Sequence, residues 1–214
     1  MAVKIGLVSK KGGPGKSTIA RGLAVAFAQN DWAVKIADFD LGQKTSVEWV
    51  QTRMLNGHTP EVFAEPFASV AQALRIADQY DAIIFDGRPD ASLIVADIAK
   101  ASDLIIIPTG LATDDLRPAV VMADELHSLH GIPVNRIAFA LNHVGDSAAE
   151  LAEAQEYLGH KPYLVLDGHL PEMVNYRRAM DSGLSIIETR HKGPRAQAER
   201  VIQSIMTRIN ELTV

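Results

Sequence analysis

The chain of 214 residues contains no cysteine. That absence suits a reducing compartment, and it excludes an iron–sulfur cluster held by the chain's own thiolates. No apolar run approaches the ~18 residues that a helix needs to cross a bilayer. Met1-Ala2-Val3-Lys4 leads straight into the first apolar run, so no signal peptide is expected. Aromatic residues make up only 6% of the chain, and its two tryptophans, Trp32 and Trp49, are read as packing residues rather than base-stacking platforms. Positive charge is not in excess either: 21 Lys and Arg against 26 Asp and Glu leave a formal net charge of −5, so the whole chain is no polycation. Internal repeats, low-complexity stretches and linkers are lacking, and Asn56-Gly57-His58-Thr59-Pro60 is a loop by its turn residues. With 47% hydrophobic and 22% charged residues, the composition is that of an ordinary globular chain, and the length predicts one domain, 1–214. A cytoplasmic protein is the expectation.

What is present is an alternation of apolar runs and helical spacings. Strands are predicted at 3–8, 33–37, 62–64, 82–85, 104–107, 137–141 and 163–166. Helices are predicted at 17–29, 45–55, 69–79, 92–101, 114–130, 148–158, 171–181 and 193–212. Runs such as Leu104-Ile105-Ile106-Ile107 read as strands buried on both faces. The predicted fold is therefore α/β, a doubly wound and mostly parallel sheet of about seven strands with helices on both faces. Right-handed crossovers would gather the loops that follow the strands on one edge, where ligands bind.

The first of those loops carries the chemistry. Lys11-Gly12-Gly13-Pro14-Gly15-Lys16-Ser17-Thr18 stands between an apolar run and a helical pattern. Strand, glycine loop and helix in this order make a phosphate-binding loop. Glycines let backbone N–H groups curl around phosphate oxygens, and the helix N-terminus adds unpaired N–H groups and a positive dipole end. Lys16 would reach the β- and γ-phosphates, and the Ser17 hydroxyl would ligate Mg²⁺. A ligand-free glycine turn would need neither two lysines nor the Ser-Thr pair. The strict pattern G-x-x-x-x-G-K-[ST] is not met, because Lys10 occupies its first glycine position.

The ends of later strands supply candidate partners. The second strand leads into Asp38-Phe39-Asp40, where a carboxylate can hold a metal-bound water or orient an attacking one. The competing role for Asp40 is to cap the helix near Thr45. The fourth strand ends in Asp86, four apolar residues followed by an acid, as in a Walker B strand that serves the Mg²⁺ water shell. After the sixth strand comes Asn142, which has the donor and the acceptor that a base edge requires. Arg88 is read as a surface arginine. His127 and His130 have no third ligand near them in sequence and are assigned to a solvated face. From residue 177 to the end, seven Lys and Arg face four acids, whereas the rest of the chain is acidic. That asymmetry fits an anion-binding face, or simply a solvated helical surface.

The loop K-G-G-x-G-K-S, with its second lysine, resembles the deviant Walker A box of the ParA/MinD superfamily of ATPases. The resemblance runs on through Asp38-Phe39-Asp40, where Leu41-Gly42-Gln43 replaces the family's Pro-Gln. It continues through Asp86, Thr113-Asp114-Asp115-Leu116-Arg117, Asn142, Leu170-Pro171-Glu172-Met173-Val174 and the helix ending Ala179-Met180-Asp181-Ser182-Gly183. It implies ATP and Mg²⁺ as cofactors, with Lys11, Gly12, Gly13, Pro14, Gly15, Lys16, Ser17 and Thr18 around the phosphates. It further implies that Lys11 crosses a nucleotide-sandwich dimer to the partner's phosphates and that Asp40 is the hydrolysis-linked switch residue. Ser17, Asp40 and Asp86 are the implied magnesium set, and Asn142, Pro171 and Met173 the implied adenine contacts. The closest pattern is that of small plasmid-type partition proteins. They are slow, partner-stimulated ATPases that cycle between an ATP-bound, DNA-binding dimer and an ADP or apo monomer.

On this resemblance the expected partners are a second copy, a centromere-binding protein of ParB type, and DNA of any sequence. The DNA would lie along Arg177, Arg178, Arg190, Lys192 and Arg195 and draw the ATP form to the nucleoid. The alternatives are a membrane-cycling MinD-like regulator, another cargo-positioning ATPase, and a small-molecule ATP-dependent ligase. The first needs a basic amphipathic tail, but the stripe Val201, Ile202, Ile205, Met206, Ile209, Leu212 is flanked by cancelling charges and reads as core, so no membrane partner is expected. The last leaves Lys11 without a purpose.

Overall fold

The computed structural model describes residues 2–13, 15–89 and 93–213. Pro14 and Ser92, the first residue of the predicted helix 92–101, lie outside the described residues. In chain order the elements are β1 (Val3–Leu7), α1 (Lys16–Gln29), β2 (Val34–Asp38), α2 (Thr45–Leu55), β3 (Phe63–Pro66), α3 (Val70–Leu74), β4 (Ala82–Asp86) and α4 (Leu93–Ala101). There follow β5 (Leu104–Thr109), α5 (Thr113–Ser128), β6 (Ile137–Val144), α6 (Ala148–Gly159), β7 (Leu164–Val165), β8 (Leu170–Pro171), α7 (Val174–Asp181) and α8 (Lys192–Thr213).

Every strand pairing is parallel, in the order β3-β2-β4-β1-β5-β6-β7, with β8 beside the far end of β6. The expected α/β sheet is thus present. Its central strands are apolar on both faces because both are covered. Ile5, Leu7, Ile84, Leu104 and Ile106 point into one core with α1, α2, α7 and α8. Ile83, Phe85, Ile105, Ile107 and Phe139 point into the other with α3, α4, α5 and α6. The period of two along each strand feeds both layers. The apolar stripe of α8 packs inward: Val201, Ile202, Ile205 and Ile209 are all buried. No described helix is long and apolar enough to cross a membrane.

Boundaries differ from the pattern in three instructive places. The predicted helix 69–79 splits after Leu74 into a single 3-10 turn at Ala77–Gln79. Val70, Ala73 and Ala77 still reach the core, and the tighter turn delivers Asp81 to the Ala33 N–H, which donates to its carboxylate at 2.8 Å. Pro171, predicted to open a helix, lies instead in β8, and α7 begins at Val174. The sixth strand runs three residues past its apolar stretch because β8 gives it a partner there, Asn142 opposite Leu170 and Val144 opposite Pro171.

One helix is anchored at its rear with unusual density. Arg53, near the end of α2, is 1% exposed. Its guanidinium donates twice to the Glu188 carboxylate at 2.9 Å, and also to the carbonyls of Pro60 and Gly183. Trp49, one turn earlier, donates its indole N–H to the Leu184 carbonyl at 3.1 Å. An arginine buried so deeply is tolerable because its donors are met by a carboxylate and by backbone.

Candidate nucleotide-binding site

The edge where β1, β2 and β4 end holds an open cleft of about 670 Å³, lined by Gly13, Gly15, Lys16, Ser17, Thr18, Arg21, Asp38, Asp40, Gln43, Thr45, Asp86, Gly87 and Pro89. Three strands deliver its acids and its loop, as the parallel topology requires. Gly13 and Gly15 have positive φ, 84° and 101°. At Gly15 a side chain would also collide with the Asn142 carboxamide, which lies against that Cα. Gly15 precedes α1 without any side-chain cap, and the first turn of α1 holds no acid. Its leading N–H groups are therefore left for an anion in the cleft.

Lys16 is buried, and its ammonium donates to the Ser9 hydroxyl at 2.8 Å. That hydroxyl in turn donates to the Lys11 carbonyl at 2.7 Å, so the lysine and the loop share one hinge point. Burial lowers the pKa of Lys16, while the charges of Asp86 and Asp40 pull it back up. A buried cation facing an open cleft is poised to trade water for phosphate oxygens.

The acids divide their work. Asp86 is buried at the end of β4, and Ser46 donates its hydroxyl to Asp86 Oδ2 at 2.7 Å. Asp86 Oδ1 is buried with no hydrogen-bond partner among the described residues. Burial foremost, and the neighbouring Asp38 charge, raise its pKa, against the pull of Ser46, Ser17 and Arg21. Asp38 closes β2; its carboxylate accepts from the N–H groups of Asp40 and Ser46 at 3.0 Å each. Burial raises its pKa despite those donors. Asp40 accepts at Oδ1 from the Gly42 and Gln43 N–H groups at 3.2 and 3.0 Å. It shapes the loop before α2, and the carboxylate that serves the start of α2 is Asp38. Arg88 is exposed, as expected.

Lys11 stands apart. Its side chain does not line the cleft but pairs with Asp115 at the start of α5, Nζ to Oδ1 2.9 Å, with both side chains roughly half exposed. Asn142 is buried on β6 beside Gly15, and Pro171 pairs along the same strand end. Met173 follows, partly buried at the start of α7. None of these three lines the cleft itself.

Sequence reasoning passed over Ser9, Arg21, Thr45, Ser46 and His143, and within Asp38-Phe39-Asp40 it gave the role to Asp40. Arg21 stands four residues after Ser17, hence on the same face of α1, which was the available signal. His143 has a left-handed backbone, φ 54°, and its Nε2 lies 2.9 Å from the Gly13 carbonyl. Nothing in its neighbours announces that contact.

A family profile described as the CobQ/CobB/MinD/ParA nucleotide binding domain matches residues 5–186. The chain belongs to this family. Solved structures of similar fold include apo McdA from Cyanothece, with 16% identity over 96% of this chain and 100% of that one and a TM-score of 0.74. A Borrelia burgdorferi protein described as a plasmid partition protein, bound to AMPPNP, has 15% identity over 97% and 99% and a TM-score of 0.76. The Pyrococcus horikoshii septum site-determining protein MinD, complexed with Mg-ADP, has 18% identity over 100% and 96% and a TM-score of 0.72. At these identities they establish the fold. No curated protein sequence matches the chain.

Whether this CobQ/CobB/MinD/ParA site fits a magnesium nucleotide can be asked of its own atoms. Among the described residues no three His, Asp or Glu side chains are gathered to hold a metal alone. The Ser17 hydroxyl, 3.4 Å from that of Thr45, and Asp86 Oδ1, without a partner among the described residues, are oxygen donors of the kind Mg²⁺ takes together with phosphate and water. The donor set fits.

Proposed function

We propose that this chain is a ParA-like ATPase for plasmid or chromosome partition. Residues 1–214 are read as one P-loop domain that cycles between an ATP-bound, DNA-binding homodimer and an ADP or apo monomer. The observation that carries the reading is the division of labour between the two loop lysines. Lys16 lines the cleft, while Lys11 stands outside it on an exposed tether to Asp115. A lysine of the loop that its own cleft does not use is what a contact to the phosphates of a second copy requires.

In this reading the glycine N–H groups and the start of α1 cradle the β- and γ-phosphates, and Lys16 neutralises them. Thr18 and the backbone of Gly12, Gly13 and Gly15 complete the cradle. Mg²⁺, held by Ser17 with Asp86 and Asp40 serving its water shell, would spread the charge of the departing γ-phosphate. Asp40 orients the attacking water, and its loop bonds to Gly42 and Gln43 hold it for that task. Asn142 would read the adenine edge, with Pro171 and Met173 against the ring. Hydrolysis is slow until a ParB-type partner stimulates it.

The DNA face is assigned to Arg177, Arg178, Arg190, Lys192 and Arg195. Arg178 and Arg190 line a second cleft of about 630 Å³ between α7 and the start of α8, and phosphate contacts from such a face carry no sequence information. The protein is then cytoplasmic and gathers on the nucleoid when ATP is bound. A MinD-like membrane role is disfavoured, because the stripe of α8 that would enter lipid is already packed on the sheet.

The test is binding to a random-sequence duplex followed by fluorescence anisotropy. ATP should support it, ADP should not, and affinity should fall steeply as salt rises. No binding with either nucleotide, or ATP-dependent pelleting with liposomes instead, would overturn the partition reading.

A further inference from the structure

Arg21 has no place in the phosphate-loop pattern, yet it lies in the cleft. It projects from α1 one turn beyond Ser17 and reaches α2. Its Nε donates to the Ser46 hydroxyl at 3.4 Å, and that hydroxyl donates onward to Asp86 Oδ2 at 2.7 Å. The guanidinium carbon stands 5.6 Å from the centre of the Trp49 ring, and Nη1 faces the Met180 sulfur at 4.0 Å. Aromatic, thioether and hydroxyl neighbours thus hold the head group on several sides.

The consequence concerns a single oxygen. A Ser hydroxyl rotates freely and can donate to only one acceptor at a time. With Arg21 donating to its oxygen, the Ser46 proton is left for Asp86 Oδ2. That bond fixes the carboxylate rotamer, and the other oxygen, Oδ1, is the buried atom with no partner among the described residues. Three elements, α1, α2 and β4, are thereby linked in one line that ends at an open acceptor.

We infer that Arg21 is a positioning residue which, through Ser46, sets the orientation of Asp86 and so determines how strongly Mg²⁺ tightens nucleotide binding. This deepens the reading proposed above and rests on it. On that reading the phosphate cradle is built from the loop, Lys16 and the start of α1, and Arg21 has no assigned phosphate contact. Its effect is confined to the magnesium-dependent part of the affinity. An arginine near a divalent cation also repels it. The two effects have opposite signs, so experiment separates them.

The measurement is titration of a fluorescent ADP analogue in excess Mg²⁺ and again in excess EDTA, taking the dissociation constant in EDTA divided by that in Mg²⁺. In Arg21→Met the ratio should fall about tenfold, the scale of one lost hydrogen bond to a charged group, while the EDTA constant stays within about twofold. Ser46→Ala should do the same, and the double variant should be no worse than either single one, because both break one relay. Arg21→Lys, which can still donate to Ser46, should recover most of the ratio.

A rise of the ratio in Arg21→Met would show that repulsion governs and would overturn the inference. So would an unchanged ratio, an equal loss in EDTA, or additive effects in the double variant. Should Arg21→Met fail to fold, Ser46→Ala alone decides: an unchanged ratio refutes the relay. If the wild-type protein binds no nucleotide in either condition, the site reading itself falls. A magnesium-dependent wild type with unaffected variants refutes only the role of Arg21.

Discussion

Replacing Asp86 by Asn should make the ligand-free protein more stable. Asp86 is 3% exposed and lies beside Asp38, and one of its oxygens has no partner among the described residues. Keeping such a carboxylate charged costs about 1–3 kcal/mol. Asparagine keeps an acceptor for the Ser46 hydroxyl, removes the charge and eases the repulsion with Asp38, while its new N–H₂ gives back part of the gain. A net stabilisation of about 1–2 kcal/mol corresponds to a rise in Tm of about 2–8 °C for a chain of this size. The pH dependence carries the sign. Burial raises the pKa of Asp86 above its ordinary 3.8, so the folded state holds that proton more tightly than the unfolded chain does. The stability gained from this is complete below pH 3.8 and is lost as pH rises through the folded pKa. The advantage of the Asn variant should therefore be absent in acid and grow towards neutrality. Thermal melts of both proteins without nucleotide, from about pH 4 to pH 8, measure it. A lower Tm for Asp86→Asn at neutral pH, or a difference that ignores pH, would refute the reasoning. The same variant should lose the tightening of nucleotide binding by Mg²⁺, so stability and function move in opposite directions at one atom.

Two further outcomes are expected. Lys11→Ala should bind nucleotide as a monomer nearly as well as the parent, because the side chain does not line its own cleft, yet fail to dimerise with ATP or to hydrolyse it. Size-exclusion chromatography with ATP checks this, and a normal dimer with normal turnover would end the trans assignment. Arg53→Met should cost about 3–5 kcal/mol, because it strands Glu188, only 11% exposed, without its cation. Urea denaturation measures the loss, and Arg53→Met combined with Glu188→Leu should restore much of it.

The candidate phosphate loop, which lines the cleft, was legible because its chemistry is written in consecutive residues: turn, cation and hydroxyl need no knowledge of the rest of the chain. Asp86 was legible for a similar reason, as an acid closing an apolar run. Alternating apolar runs and helical spacings likewise disclosed the parallel sheet. Ser46 and Arg21 were not legible, since each matters only because α1 and α2 pack beside the end of β4, and a serine or an arginine on a helix face has no local mark of that. Asp40 and Asp38 show the same limit at shorter range. Both stand in one tripeptide, and only the register of β2 against β4, with Asp38 opposite Asp86, reveals which is buried and serves the start of α2. Pro171 misled because proline favours the first turn of a helix, whereas here the extension of β6 offers an edge that needs no N–H from it.

The contact between Lys11 and Asp115 is open to water on both sides. Pairs of that kind hold with about 0.2–1 kcal/mol, comparable to thermal energy. Such a contact is a resting place rather than a lock: the ammonium leaves it many times before any encounter and is never committed to it. In the dimer proposed above, a protomer arriving with a triphosphate would therefore meet a charge that is already loose. The proposed hand-over between two molecules would then have no latch to be broken first.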